Sequence, residues 1–211
     1  MTSGPTIIEP AAIEAESFRL IEAEVGTHAF DARQWPVVRR IIHTTADFDF
    51  ARITCFSPGA IDAGINALRR GEKVLCDTNM VRAGVSKPRL ADFGSELVCH
   101  VADPEVARRA RADGVTRSLV AMRRGVAEGC GIFLIGNAPT ALFELLHLAR
   151  EGVARPSLVI GVPVGFVGAA ESKEALLASA LPFITCRGRK GGSAIAAAIL
   201  NAMMILAAEV D

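Results

Sequence analysis

Short apolar runs alternate with longer amphipathic stretches along this chain. Six of the runs read as strands: Arg52–Phe56, Lys73–Cys76, Glu96–Val101, Gly131–Ile135, Ser157–Gly161 and Pro182–Cys186. Between them apolar residues recur at helical spacing, as in Leu142, Leu145, Leu146 and Ala149. This alternation predicts an α/β fold, because parallel strands need long connections that return over a sheet face. Ser57-Pro58 predicts an N-cap with proline at the first helical position, and Gly71 closes that helix after Leu68-Arg69-Arg70. Asp103-Pro104 opens a helix ending near Gly114, and Pro139 opens one ending at Gly152. The last helix runs from about Gly192 to Ala208. With no repeat, low-complexity tract or linker, the 211 residues predict one domain.

In open α/β sheets ligands bind beyond the carboxyl ends of the strands, at a topological switch point. The residues just past the predicted strands are Asp77, Gly136-Asn137, Val162 to Gly168 and Arg187 to Gly192. In IGVPVGFVGAAESKE (160–174) an apolar strand gives way to a Gly/Pro-rich turn and then to a helix. Gly161, Gly165 and Gly168 remove side chains there, so a ligand can approach backbone amides. GNAPT (136–140) alone would be an ordinary strand–helix turn capped by Asn137, but recurrence of the loop type favours a shared ligand surface. RGRKGGSA (187–194) sets Arg187, Arg189 and Lys190 before a helix N-terminus, which favours an anion; a merely solvated basic loop reads equally well. Neither glycine loop is a G-x-G-x-x-G dinucleotide fingerprint, and Lys190 precedes its glycines where a Walker A lysine would follow them.

Composition narrows the class. About half the residues are apolar, enough for a sizeable core, and the net charge of zero provides no global field for nucleic acid or an anionic membrane. Nineteen of the 23 basic residues are Arg; most suit a solvated surface, and a few suit bidentate carboxylate clamps. Five scattered cysteines without a CxxC pair predict reduced thiols in a cytoplasmic protein. Pro5, Glu9 and Pro10 stand where a signal peptide needs an apolar core. The longest apolar run, Ala194 to Ala208, is broken by Asn201 and too short to span a bilayer, so a packed core helix is expected. Its Met203, Met204 and Leu206 suit either a monomer core or a partner surface.

Of four histidines, His28 lies in a polar turn and His147 on a long helix, both structural positions. His100 ends a strand beside Cys99 with no second ligand at metal spacing. His43 follows Trp35, Val38 and Ile42 near the end of its helix, and position alone gives it only a modest edge.

IGVPVGFVGAAESKE, together with IGNAPTALF (135–143), CDTNMVRAG (76–84), RGRKGGSA and the histidine of RRIIHTTAD (39–47), resembles precorrin-8X methylmutase over nearly the whole chain. The resemblance implies a flavodoxin-like, doubly wound three-layer α/β/α fold. It implies an isomerase that moves a methyl group from C-11 to C-12 of a corrin precursor in vitamin B12 biosynthesis. The product would be hydrogenobyrinate, or cobyrinate if cobalt is already inserted. An intramolecular 1,5-sigmatropic shift without cofactor or protein-bound metal, a corrinoid substrate and a homodimer are further implications. His43 matches the family's catalytic histidine, Ser17 a serine near the substrate, and Arg117 an arginine that contacts the corrinoid. Ser86 stands where relatives can have Thr. Arg40 is a further substrate-binding candidate, with the choice between it and Arg39 open; Asn137, Gly165, Arg187 and Lys190 are the loop candidates. A corrinoid carrier without turnover would share the loops and arginines and would not need His43.

Overall fold

The computed structural model describes residues 9–209, so Pro5 lies outside the described residues. Six strands form one sheet: β1 (Thr54–Phe56), β2 (Val74–Cys76), β3 (Leu97–Val98), β4 (Ile132–Ile135), β5 (Leu158–Gly161) and β6 (Phe183–Cys186). Their order is β1-β6-β5-β4-β2-β3. Every neighbouring pair is parallel except β1 and β6, which run antiparallel with Thr54 opposite Cys186. Counted from β2, the parallel strands follow the flavodoxin order 2-1-3-4-5, and β1 adds an antiparallel edge.

All six expected strands exist, each shorter than its apolar run. Arg52 and Ile53 belong to a helical turn, α3 (Phe50–Ile53), because Phe50 turns into the core and the Thr54 hydroxyl donates back to its carbonyl at 2.7 Å. Ser57 is not a helix cap: its hydroxyl accepts from the Phe183 N–H at 2.8 Å, tying β1 to β6. The following helix, α4 (Ala60–Arg69), starts after Gly59 instead.

Residues of β2, β4, β5 and β6 are buried on both sides, as a doubly covered sheet requires, and the edge strands β1 and β3 are only partly buried. Val74, Ile132, Leu134, Leu158, Ile160 and Ile184 face one core. Helices α2 (Gln34–Thr45), α4, α5 (Asn79–Gly84), α6 (Lys87–Asp92) and α11 (Ser193–Ala208) cover it. Leu75, Phe133, Ile135, Val159 and Phe183 face the other, under α8 (Arg117–Ala127), α9 (Pro139–Arg150) and α10 (Ala169–Leu177). Outside this second layer α7 (Pro104–Asp113) packs on α8 through Val106, Ala110, Val120 and Ala121. Peripheral α1 (Pro10–Val25) rests on α2. Helix α11 is nearly surrounded: Met203 and Met204 are buried in this chain's own core. Of the two surfaces open to those methionines, the monomer core is the one they fill.

The switch point lies between β2 and β4, and the protein itself occupies it. The Asp77 carboxylate accepts from the backbone N–H groups of Gly136 (3.1 Å), Asn137 (2.8 Å) and Ala138 (2.8 Å), the turn that starts α9. Burial pushes the Asp77 carboxyl upward, and the three donors pull against that. Helix-terminal amides that could hold a ligand's anion therefore hold an internal one. A Cβ on Gly136 would meet the Ser193 backbone at 2.7 Å, so only glycine lets this turn sit on the start of α11.

Candidate active site

A cleft opens on the α2/α11 face of the sheet. Helix α2 buries Val37, Val38, Ile41 and Ile42, which rotates Arg40 and His43, three residues apart, onto one flank. Ala46, in a left-handed conformation with its N–H bonded to the Ile42 carbonyl at 2.7 Å, ends the helix just past His43. Opposite stand Ala194, Ala197, Ala198, Asn201 and Ile205, one stripe of α11 whose small residues leave open space. Ser86 and Arg89 of the α5–α6 segment close the third side. The cleft holds about 450 Å³.

Several contacts fix its walls. Asn201 donates to the Gly84 carbonyl and accepts from the Ser86 N–H, both at 2.9 Å, binding the α5–α6 segment to α11. A Cβ on Gly84 would approach that of Ala197 to 2.8 Å, so glycine sets how closely α5 and α11 meet. Ser86 precedes α6 but makes no side-chain capping bond. Phe18 of α1 packs edge-on against His43, with ring centroids 5.3 Å apart, and lies beneath the guanidinium groups of Arg39 and Arg40 at 4.1 and 4.8 Å.

Charge in the cleft is mostly positive. Arg40 and Arg89 line it with His43; Glu14 of α1 supplies the opposite sign and accepts a 2.6 Å hydrogen bond from Arg40. That hydrogen bond holds the Glu14 carboxyl below its usual range, helped by the charges of Arg40, His43 and Arg89 and opposed by burial. Arg40 is the arginine that faces His43. Arg39 turns one position away, to Glu22 and to a second cleft.

The sequence candidates thus divide. His43, Arg40 and Ser86 line the cleft. Ser17 lies one turn along α1 from Glu14, and its hydroxyl donates to the Ile13 carbonyl at 2.8 Å. Arg117 starts α8, exposed and on the other face of the sheet. Asn137 is exposed at the carboxyl edge, with its N–H on Asp77. The Gly165 N–H donates to the Arg189 carbonyl, at 3.2 Å, joining the two basic and glycine-rich loops. Within RGRKGGSA each cation has an internal partner: Arg187 pairs with Glu174 at 3.1 Å, Arg189 stacks on Phe166, and Lys190 bridges Asp47 (2.6 Å) and Asp49 (2.7 Å). Through Lys190 that loop braces the end of α2. Glu14, Arg89 and Asn201 escaped sequence reasoning. Asn201 alone left a signal, a polar residue interrupting an apolar helix.

His28 stacks on Trp35 at 4.0 Å, and His100 meets Glu128 at 2.9 Å. Among the described residues no group of three or more His, Cys, Asp or Glu is placed to hold a metal ion. Among them, too, no helix is long and apolar enough to cross a membrane.

Fold and cleft define a flavodoxin-like α/β protein with a cleft lined by histidine, arginine and glutamate. The sequence pattern of the CbiC, precorrin-8X methylmutase, family matches residues 12–206. The chain is 48% identical over 204 residues to the cobalt-precorrin-8 methylmutase of Priestia megaterium, covering 96% of this chain and 91% of the relative. It is 40% identical over 195 residues to the precorrin-8X methylmutase of a Sinorhizobium species, covering 91% and 92%. The crystal structure of precorrin-8X methylmutase from Thermus thermophilus superposes with a TM-score of 0.87 at 46% identity, covering 93% of this chain and 96% of that one. This chain belongs to the precorrin-8X methylmutase family, a family of isomerases.

Proposed function

We propose that this chain acts as a single methylmutase domain over residues 1–211, moving a methyl group from C-11 to C-12 of precorrin-8X or of cobalt-precorrin-8. The observation that carries the reading is His43 sharing one cleft with Arg40 and Arg89 in a chain of this family. Substrate and product are isomers, so atoms balance within one molecule: the C-11–methyl bond breaks as the C-12–methyl bond forms. His43 donates a proton or a strong hydrogen bond to the conjugated macrocycle, lowers the barrier to migration, and recovers the proton afterwards. Histidine suits the task because it gives and takes protons near neutral pH. Arg40 and Arg89 hold carboxylate arms and fix the ring against His43, and the Ser86 hydroxyl adds a hydrogen bond. Ser17, next to Phe18 on α1, is a proposed substrate contact from that wall. Arg117, Asn137 and Gly165, at the carboxyl edge, are proposed contacts for arms reaching beyond the cleft. Arg187 and Lys190 serve this reading by holding their loop against Glu174, Asp47 and Asp49.

A homodimer and a cytoplasmic location complete the proposal. Supporting the dimer, Val164, Phe166 and Val167 are 45%, 83% and 89% exposed together on one loop, an apolar patch that suits a partner surface. Sedimentation should give twice the chain mass at micromolar concentration; a monomer there removes the dimer. The free cysteines fit a reducing compartment.

The decisive variant is His43→Ala. Turnover should fall about 10²–10⁴-fold, the range for removal of a general acid, while corrinoid affinity stays close to wild type because the arginines remain. Isotope-labelled substrate mixed with unlabelled substrate should give no crossover product. Near-normal turnover in His43→Ala refutes the assignment, and wild-type protein that binds the pigment without rearranging it would be a carrier.

A further inference from the structure

A second cleft of about 340 Å³ continues the first along α2 and α11, lined by Phe18, Pro36, Arg39 and Leu206 among others. Both clefts are lined by Glu14, Arg40 and Ile205. The Glu14–Arg40 pair is therefore the partition between two halves of one groove. Its two ends differ in freedom. Arg40 is 19% exposed and comes from α2, which is anchored by four buried residues. Glu14 is 48% exposed and lies in the first turns of α1, whose buried anchor, Ile21, sits two turns further on. Breaking the pair moves Glu14 and leaves Arg40 in place.

We infer that Glu14 is a specificity-determining placeholder: it occupies Arg40 in the empty site, is displaced by a carboxylate of the ligand, and on leaving joins the two clefts into one groove. The inference rests on the reading of this cleft as a corrinoid site and adds to it the step by which a polycarboxylate enters. A ligand without an anionic group cannot take Arg40 from Glu14, so it meets a divided groove. Substrate and product are isomers carrying the same carboxylates, so competition from Glu14 weakens both alike and eases release of the product. The lowered Glu14 carboxyl keeps the placeholder ionised at neutral pH.

Tricarballylate, a small tricarboxylate, tests the placeholder without any corrinoid. Glu14→Gln keeps an acceptor oxygen for Arg40 and removes the charge, and it should bind tricarballylate about two- to fivefold more tightly than wild type, the equivalent of one exposed ion pair. Glu16→Gln removes an equal charge from the same helix, where Glu16 pairs with Arg19 outside both clefts, and should leave affinity unchanged. Glu14→Gln combined with Arg40→Ala should abolish the gain. Unchanged or weaker binding by Glu14→Gln, or an equal gain in Glu16→Gln, overturns the inference. Crystals of the unaltered protein with tricarballylate give a reading that needs no variant: a carboxylate on Arg40 with Glu14 withdrawn supports it, and an intact Glu14–Arg40 pair beside bound ligand overturns it. With precorrin-8X, Glu14→Gln should lower KM without raising kcat. Wild type that fails to rearrange precorrin-8X overturns the methylmutase reading instead, and the tricarballylate comparison still decides the role of Glu14.

Discussion

Replacing Asp77 by alanine should cost more stability than any other single polar substitution at the sheet edge. Three backbone N–H groups lose their acceptor, and Asp77 itself is 3% exposed. Hydrogen bonds to a charged acceptor are worth about 1.5–3 kcal/mol each, an upper total of about 4.5–9 kcal/mol for three. Two terms reduce it. Removing the carboxylate also removes its desolvation cost, several kcal/mol for a buried ion, and burial is the largest influence on its carboxyl group. Water entering from the sheet edge can satisfy part of the turn. The net loss expected for Asp77→Ala is about 2–4 kcal/mol, out of a typical total of 5–15 kcal/mol. For a chain of this size each kcal/mol lowers the melting temperature by about 2–4 °C. Asp77→Asn keeps one carbonyl oxygen but turns an amide toward the donors, so about 1–3 kcal/mol is expected. Urea unfolding followed by circular dichroism measures both, with an unchanged m-value if only the native state is affected. Because Gly136 sits on Ser193, next to the cleft residue Ala194, the alanine variant should also lose turnover. A cost below about 0.5 kcal/mol for Asp77→Ala, the scale of an ordinary surface change, would refute the account of the switch point.

Two further outcomes follow from a buried lysine and from a half-buried asparagine. The Lys173 side chain is fully buried, donating to the Lys190 carbonyl at 2.5 Å beside the Cys186 thiol, and burial pushes its amine below the usual lysine value. The unfolded chain then binds more protons between the lowered value and about 10.5, so stability rises with pH through that window and is lost as pH falls through the folded value; thermal unfolding at several alkaline pH values should show the slope in wild type and lose it in Lys173→Met. Asn201→Ala deletes the two 2.9 Å bonds that hold Ser86 and Gly84 to α11, at a cost of about 1–3 kcal/mol by urea unfolding, with weakened corrinoid affinity as the cleft wall loosens; unchanged stability would show that α5 and α6 need no such tie.

The strands, most helix ends and the parallel α/β class were legible in the sequence because period, caps and breakers act over a few residues, and the family resemblance implied the doubly wound order. Ile132–Ile135 and Leu158–Gly161 are apolar at every position, as central parallel strands must be. Where a local signal had two readings, packing chose. Ser57-Pro58 carries the residues of a cap, yet its hydroxyl went to β6, an element more than a hundred residues later. Arg52 and Ile53 continue an apolar run, yet Phe50 needed the core more than β1 needed length.

The candidate site divides along the same line. Its family motifs and His43 were visible in the chain as written, because such motifs are contiguous. Which residues share a cleft was not, since Glu14, Arg40, Ser86, Arg89 and Asn201 come from four separate helices or their caps. That Arg40, and not Arg39, shares the cleft of His43 follows from the rotation of α2, set by which of its neighbours enter the core. Asp77 and the basic loop at 187–190 looked from sequence like parts of an open ligand edge. Only the tertiary structure showed that Asp77, Glu174, Asp47 and Asp49 occupy those donors already, because charge pairing across the fold depends on distances that sequence spacing does not contain.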